Sequence, residues 1–269
     1  MTLLVVSPHL DDAVLSVPVR LRRRASTGDR VILATVFSEG ADGARRRRED
    51  HAAARRLGVE PMHLGLPDAP ERRGLPRSAR ALLRATTEPD VPNVAGLLQA
   101  LVHAVKPTEI WLPLGVGEHV DHRVVHAAGL SLAPSLAFYE DRPYANVRHS
   151  TAARLRRLGV VSVHRPPTSE LVASALRAPF ASAYLPAGED GAALLREIAE
   201  LPEAPPAWTS RGDVIEPDKA EIEGVLPAVS AYASQLPDLF GGRDLRSVLA
   251  DADGVYRERL HDLWPLGQP

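Results

Sequence analysis

Short apolar runs that alternate with helix-forming stretches leave this chain few ways to fold. Leu3 to Val6 is one such run, stopped at Pro8, and Arg30 to Phe37 (Arg-Val-Ile-Leu-Ala-Thr-Val-Phe) is another. Met62 to Leu66, Glu109 to Pro113 and Ser135 to Tyr139 repeat the pattern. Between them, Val14 to Arg24, Ala44 to Leu57, Val94 to Val105 and His122 to Ala133 read as helices. Gly58 closes the second of these as a C-cap, and Asn93 is a candidate N-cap for the third. Pro18 interrupts the first unless it lies in a first turn. Strands apolar at consecutive positions are covered on both faces. Their alternation with helices predicts a parallel sheet between two helical layers.

The remaining segments are punctuated differently. Ser38 to Gly43 is turn-rich, and Pro67 to Pro92 reads as a surface loop with a short helix. In the second half, Val160 to Val163 and Leu171 are expected in strands. Ala192 to Glu200, Pro217 to Ser234 and Leu245 to Leu260 are expected to be helical, with a Pro-rich loop from Pro202 to Pro206. No repeat, low-complexity tail or linker divides the 269 residues. A single domain over residues 1–269 is therefore expected, its C-terminal third (150–269) an elaboration that covers one sheet edge and shapes the substrate site. The start, Met-Thr-Leu-Leu-Val-Val-Ser, lacks a basic segment and a long apolar core, so no signal peptide is expected. No stretch reaches the roughly 18 apolar residues a membrane span needs, and a cytoplasmic location away from membranes is expected.

Composition narrows the chemistry. The chain has no cysteine, which excludes disulfides, thiolate metal sites, iron–sulfur clusters and cysteine nucleophiles. A metal here must be held by His, Asp or Glu. A formal net charge of -2 provides no positive field for nucleic acid, and none is expected as a partner. Lys106 and Lys219 are the only lysines, which argues against a lysine base.

Ligands of open parallel sheets bind beyond the carboxyl ends of the strands. Two polar clusters fall there. Ser7-Pro8-His9-Leu10-Asp11-Asp12 follows the first strand, and Gly115-Val116-Gly117-Glu118-His119-Val120-Asp121-His122 follows the fourth. Parallel strands put both loops at one end of the sheet. His9 and Asp12 are three apart, as are His119 and His122, a spacing that projects side chains to one side of a helical turn. Two imidazoles and one carboxylate make a three-ligand site with a position open for water. Asp11, beside a ligand, is placed to take a proton from that water. Each motif alone has an ordinary reading as a helix cap, a dipole-favoured acid pair or a solvated histidine pair. Their joint occurrence at neighbouring strand ends points to metal, because the adjacent acids at 11 and 12 repel unless a cation offsets them. A site of two histidines and one carboxylate suits Zn2+ and also Fe2+ or another divalent metal.

Pro8-His9-Leu10-Asp11-Asp12 followed by His119-Val120-Asp121-His122 resembles the PIG-L/LmbE-like family of zinc-dependent N-acetylglucosaminyl deacetylases, which includes mycothiol, bacillithiol and antibiotic-tailoring enzymes. The likeness runs from His9 through Tyr139-Glu140-Asp141-Arg142-Pro143-Tyr144, and Tyr232-Ala233-Ser234-Gln235 resembles a recurrent tail motif. It implies an α/β fold, Rossmann-like and three-layer α/β/α with a mostly parallel sheet. It implies that His9, Asp12 and His122 bind zinc and that Asp11 is the general base. It further implies that a protonated His119 stabilises the oxyanion, with Asp121 orienting and charging it. Arg48 and Asp68 would contact substrate, and Ser38 and Glu39, after the second strand, would line the site. The chain departs from the family in having Ala13 for a glutamate, Val17-Pro18-Val19 for a glycine pair, and Gly117 where some members carry a catalytic tyrosine.

Other histidines are expected to be structural: His126, one turn past His122, and the unpatterned His51, His63, His103, His149, His164 and His261. The expected activity is hydrolysis of an acyl amide, most simply N-acetyl, on an amino sugar or other small molecule. The same chemistry could serve a non-sugar or thiol-conjugate amide. A reading of another class is a non-catalytic metal- or ligand-binding module on a Rossmann-like scaffold. Against it stand the spare Asp11 and the absence of Gly-x-Gly-x-x-Gly after the first strand.

Overall fold

The computed structural model describes residues 1–40, 42–132, 135–161, 163–185, 189–251 and 253–266. Its elements are β1 (Thr2–Ser7), α1 (Asp12–Ser16), α2 (Pro18–Ser26), β2 (Arg30–Glu39), α3 (Gly43–Leu57), β3 (Glu60–Pro67), α4 (Ala69–Arg73), α5 (Ala79–Arg84), α6 (Val91–Val105), β4 (Glu109–Pro113) and α7 (Val120–Gly129). Then come β5 (Ser135–Tyr139), a 3-10 turn (Tyr144–Asn146), α8 (Ser150–Arg157), α9 (Thr168–Leu176), α10 (Ala181–Tyr184), α11 (Glu189–Ala199), β6 (Trp208–Ile215), α12 (Lys219–Val229), α13 (Leu236–Phe240), α14 (Leu245–Leu249) and β7 (Glu258–Pro265). The strands form one sheet in the order β3-β2-β1-β4-β5-β7-β6. β1 to β5 pair in parallel, and β7 joins antiparallel to both β5 and β6. The fold is thus α/β, with a mostly parallel sheet between helical layers.

β1 shows why its apolar run is continuous. Leu3 and Val5 point into the core beneath α2, α3 and α12, while Leu4 and Val6 point into the opposite core beneath α6 and α7. All four are fully buried. From β1 the chain runs outward through β2 and β3 and returns to place β4 on the other flank of β1. Strand order reverses between β1 and β4, and a crevice opens beyond their carboxyl ends.

Several expectations are corrected. The helix expected over Val14 to Arg24 is two helices, α1 and α2, because Pro18 opens a new first turn. The expected loop Pro67 to Pro92 holds both α4 and α5, capped by Asp68 and Ser78. α7 starts at Val120, before the His122 expected. Leu171 lies in α9 rather than a strand, and Val160 makes an isolated parallel bridge to Trp208. The helix expected over Leu245 to Leu260 ends at Leu249. Gly254, at φ 82, turns the chain into β7. Spacing of Leu245, Leu249, Tyr256 and Leu260 mimics a helical period across that turn. β6 went unpredicted because Thr209-Ser210-Arg211-Gly212-Asp213 is a polar edge segment without apolar alternation. Ala41, Ala133, Ser162 and Ala252, which fall within or close expected segments, lie outside the described residues. Among the described residues no helix is long and apolar enough to cross a membrane.

Glu258, at the start of β7, ties the C-terminal strand to the N-terminal helical layer. Its buried carboxylate accepts the Val19 and Arg20 N–H groups at 2.6 and 2.8 Å, at the start of α2, and the Tyr256 hydroxyl at 2.5 Å. Replacing it leaves those buried donors without acceptors. Glu258→Ala is expected to cost roughly 2–4 kcal/mol of stability in urea unfolding.

Candidate metal centre

The loop after β1 is wound by Ser7. Its hydroxyl donates to the His9 carbonyl at 2.6 Å and accepts the Ala13 N–H at 3.1 Å. The His9 N–H in turn donates to Asp12 Oδ2 at 2.8 Å. Asp11 and Asp12 thus stand at the first turn of α1, both buried. The loop after β4 turns through Gly115, Gly117 and Glu118, all at positive φ. Glu118 is a buried non-glycine residue at φ 66, held by Arg157 at 2.8 Å and by Arg154 at 3.5 Å. Burial raises its pKa, but the arginines outweigh this and lower it. This clamp delivers His119 as the N-cap of α7, its Nδ1 accepting the Asp121 N–H at 3.2 Å.

The two loops meet at Asp12. Its Oδ2 lies 3.1 Å from His9 Nδ1 and 3.2 Å from His122 Nε2. One ligand atom from each residue lies within 4.8 Å of the others, a grouping that can hold a metal ion. The far nitrogen of each imidazole rests on a further carboxylate. His9 Nε2 meets Asp121 Oδ2 at 3.1 Å, and His122 Nδ1 meets Asp141 Oδ1 at 2.6 Å. Such partners fix the ring and raise ligand basicity in metal sites. Asp141 is itself fixed, because its Oδ2 accepts the Gly115 and Val116 N–H groups at 2.7 and 2.9 Å. A second grouping of His9, His119 and Asp121 also meets the distance test. Its carboxylate is committed elsewhere: Oδ1 to Arg72 at 2.7 Å, Oδ2 to the Ala69 N–H at 3.0 Å as well as to His9. The first grouping fits a divalent metal better.

Electrostatics agree with that choice. Burial opposes charge on His9, but Asp12 and Asp121 outweigh it and lift its pKa to about 9. Burial likewise opposes charge on His122, yet Asp12 and Asp141 raise it well above the ordinary value. Asp12 is pulled well below the carboxylate range by the two imidazoles, against its own burial. Protons on the rings therefore stand where a cation's charge would be. Asp11 differs. Burial raises its pKa, tempered by Arg46, whose Nη2 lies 3.2 Å from Oδ1.

His119 departs from expectation. Burial lowers its pKa to about 3, with His9 and His122 adding to the fall against the pull of Asp121. That shift favours the neutral ring, and with Nδ1 accepting a hydrogen bond the neutral ring bears its proton on Nε2. No hydrogen bond joins the Asp121 carboxylate to this ring among the described residues. Asp121 serves His9 instead.

The remaining site residues divide. Asp68 borders the cavity at the site, where it also caps α4. Arg48 is exposed, and Arg46 reaches the site in its place. The Ser38 hydroxyl accepts the Gly65 N–H at 3.0 Å and so joins β2 to β3. Glu39 pairs with Arg47 at 2.6 Å outside the cavity. Three residues of the candidate site were given no role from the sequence: Arg72, and Asp141 and Tyr144, which appeared there only within the stretch of family likeness. Asp141 and Tyr144 follow β5, so the strand-end rule that flagged the other loops could have found them. The Tyr144 ring packs 5.7 Å from that of His122, and a Cβ on Gly117 would lie 2.4 Å from Tyr144 Cγ. A tyrosine ring thus borders the site from another segment. Histidines without sequence partners find them across the fold. His63 meets Asp50 at 2.8 Å, and His261 meets Glu140 at 2.9 Å. His126 is structural, its Nδ1–H donating to the Pro113 carbonyl at 3.0 Å. In the tail motif, the Tyr232 hydroxyl donates to Asp50 at 2.7 Å and Ser234 grips Glu49, pinning the tail to the helix that carries Arg46.

Residues 4–133 match the family model described as PIG-L: GlcNAc-PI de-N-acetylase. The match spans 130 of the 269 residues, a little under half of the chain. It is similar in structure to the zinc-inhibited form of teicoplanin deacetylase Orf2, at 22% identity and TM-score 0.67 with 100% of each chain covered. The A40926 pseudoaglycone deacetylase Dbv21 matches at 21% identity and TM-score 0.64, over 99% of this chain and 98% of that one. The N,N'-diacetylchitobiose deacetylase from Pyrococcus horikoshii matches at 16% identity and TM-score 0.51, over 98% and 84%. These likenesses show the fold. No curated protein sequence matches the chain.

The pKa values of both candidate ligand imidazoles are raised, so a metal bound there would have to displace protons. Binding of Zn2+ near pH 7.5 is expected to release about two protons per ion, read from calorimetric enthalpies in buffers of different ionisation heat. Affinity should rise with pH up to about 9, where His9 loses its proton unaided. Asp141→Ala is expected to weaken metal binding by roughly 10–100-fold.

Proposed function

We propose that this protein is a zinc-dependent hydrolase that removes an N-acyl group, in the simplest case acetyl, from an amino sugar. The observation that carries the reading is Asp11. It is a buried carboxylate next to a three-ligand grouping, itself uncommitted to those ligands, at the crevice where strand order reverses. The family model's description as a de-N-acetylase supports the same reaction, as do the deacetylases of like fold. Part of the proposal is that the whole chain acts as one domain, with the segment after residue 150 shaping the substrate cavity.

His9, Asp12 and His122 would hold the metal, which when bound supplies Lewis-acid polarisation and a lower pKa for water. The chain's own groups handle the protons. Asp11 accepts one from the attacking water and returns it to the departing amine nitrogen, which leaves poorly as an anion. Arg46 steadies the Asp11 carboxylate between these transfers. His119, neutral and protonated at Nε2, donates a hydrogen bond to the carbonyl oxygen as negative charge grows there. A neutral donor gives no proton away, so acid–base work stays with Asp11. The products are the free amine and a carboxylic acid.

Asp11→Ala is expected to retain metal, measured by elemental analysis, while turnover of N-acetylglucosamine-type substrates falls at least roughly 10²–10⁴-fold. His122→Ala should lose both metal and activity. An Asp11→Ala enzyme with near-wild-type rates would overturn the mechanism. For His119→Ala the expected loss in kcat is roughly 10²–10³-fold.

A further inference from the structure

The candidate site opens into a cavity of about 430 Å³ whose two halves differ in chemistry. On one side, Arg46, Asp68, Arg77 and Asp238 present charge. The other side is mostly apolar, interrupted by Ser150 and by Arg157, which is paired with Glu118; it is built by the segments between β5 and β6, with α5 across from them. It is lined by Leu82, Val147, Leu171, Ala175, Phe180 and Leu195. Val147, Ala175 and Phe180 anchor a hydrophobic cluster separate from the two layers on the sheet. Leu82, Leu171 and Leu195 remain only half-buried. An empty apolar cavity deprives its lining of dispersion contacts and holds water poorly. Tyr144 stands at the junction, its ring 5.7 Å from that of His122 and 5.5 Å from that of Phe180.

We infer that the apolar half binds a medium-length aliphatic acyl chain, so that the preferred substrate is a medium-chain N-acyl amine rather than an N-acetyl one. The inference rests on the hydrolase reading above and deepens it. Orientation follows from the proton path. Asp11 must reach the leaving nitrogen, and Asp11 is joined to Arg46, so the amine and its hydroxyl-bearing substituent lie on the charged side. The acyl carbon then points the other way, past Tyr144 toward Phe180. The single methyl of an acetyl group would leave that space unfilled. Hydrolysis consumes one water and yields the fatty acid and the free amine.

The test is kcat/KM for N-acetyl-, N-hexanoyl- and N-octanoyl-glucosamine with the zinc-loaded full chain. A rise of at least tenfold from acetyl to octanoyl is expected, bounded above by about fourfold per buried methylene. Ala175→Phe, which fills the apolar half, should flatten that rise. Where this variant does not fold by circular dichroism, Leu171→Gln makes the cavity polar instead and should flatten it likewise. Fastest hydrolysis of the acetyl compound, or no dependence on length, overturns the acyl site and leaves the deacetylase reading standing. If no member is hydrolysed, the hydrolase reading fails, and octanoate binding by calorimetry decides the cavity separately. Binding that is lost in the cavity variants supports an aliphatic site, whereas no binding, or equal binding in wild type and variants, overturns it.

Discussion

The Asp12 carboxylate lies about equally close to a ring nitrogen of His9 and to one of His122; Asp12 and His122 are buried, and His9 is largely covered. None of them could be buried alone without a penalty of several kcal/mol. Together they compensate one another, and that compensation dictates much of the surroundings. Each ring needs its far nitrogen satisfied, which calls in Asp121 and Asp141. Asp121 then needs Arg72, which also binds Asp90 and stacks 4.3 Å from the Phe37 ring. Asp141 needs two backbone N–H groups, which the turn at Gly115 and Val116 presents. A short polar chain of dependence thus runs from the ends of β1 and β4 to α4, α6 and the segment after β5.

The part of the fold legible in the sequence was the part where burial on both faces leaves an unbroken apolar run. Leu3 to Val6 and Arg30 to Phe37 could be read as sheet interior for that reason alone. β6 could not, because an antiparallel edge strand carries little apolar pattern, and β7 could not, because its start continues an apolar spacing that mimics a helix. The candidate ligands were legible because His and Asp at a spacing of three, placed just past strands, are unusual together. Their carboxylate partners were not. Asp141 meets His122 through the pairing of β4 with β5, and no local spacing encodes that contact. The arginine run at 45–48 shows the same limit. Its chemistry was visible, but helical phase decides that Arg46 rather than Arg48 turns inward.

Charge on His119 shows how context overrides residue type. A histidine beside an aspartate in sequence invites the reading of an ion pair. Here the neighbouring N–H, not the neighbouring carboxylate, makes the contact, and two further imidazole rings stand 5.2 and 5.5 Å away, measured between ring centroids. The environment favours the neutral ring and fixes which nitrogen bears the proton. In the proposed reaction, preorganisation of this kind would cost nothing, because the donor would already be aimed and would need no proton from solvent.

Gly117 and Tyr144 share one volume. Any side chain at 117 would need the ring at 144 to leave, and the φ of 87 there adds a backbone cost for every L residue but glycine. The two positions are therefore a single steric choice made in two places. In this chain the aromatic ring beside His122 comes from the segment after β5, and the volume it fills is closed to a side chain from the loop after β4. A single substitution at either position would therefore leave a clash or a void.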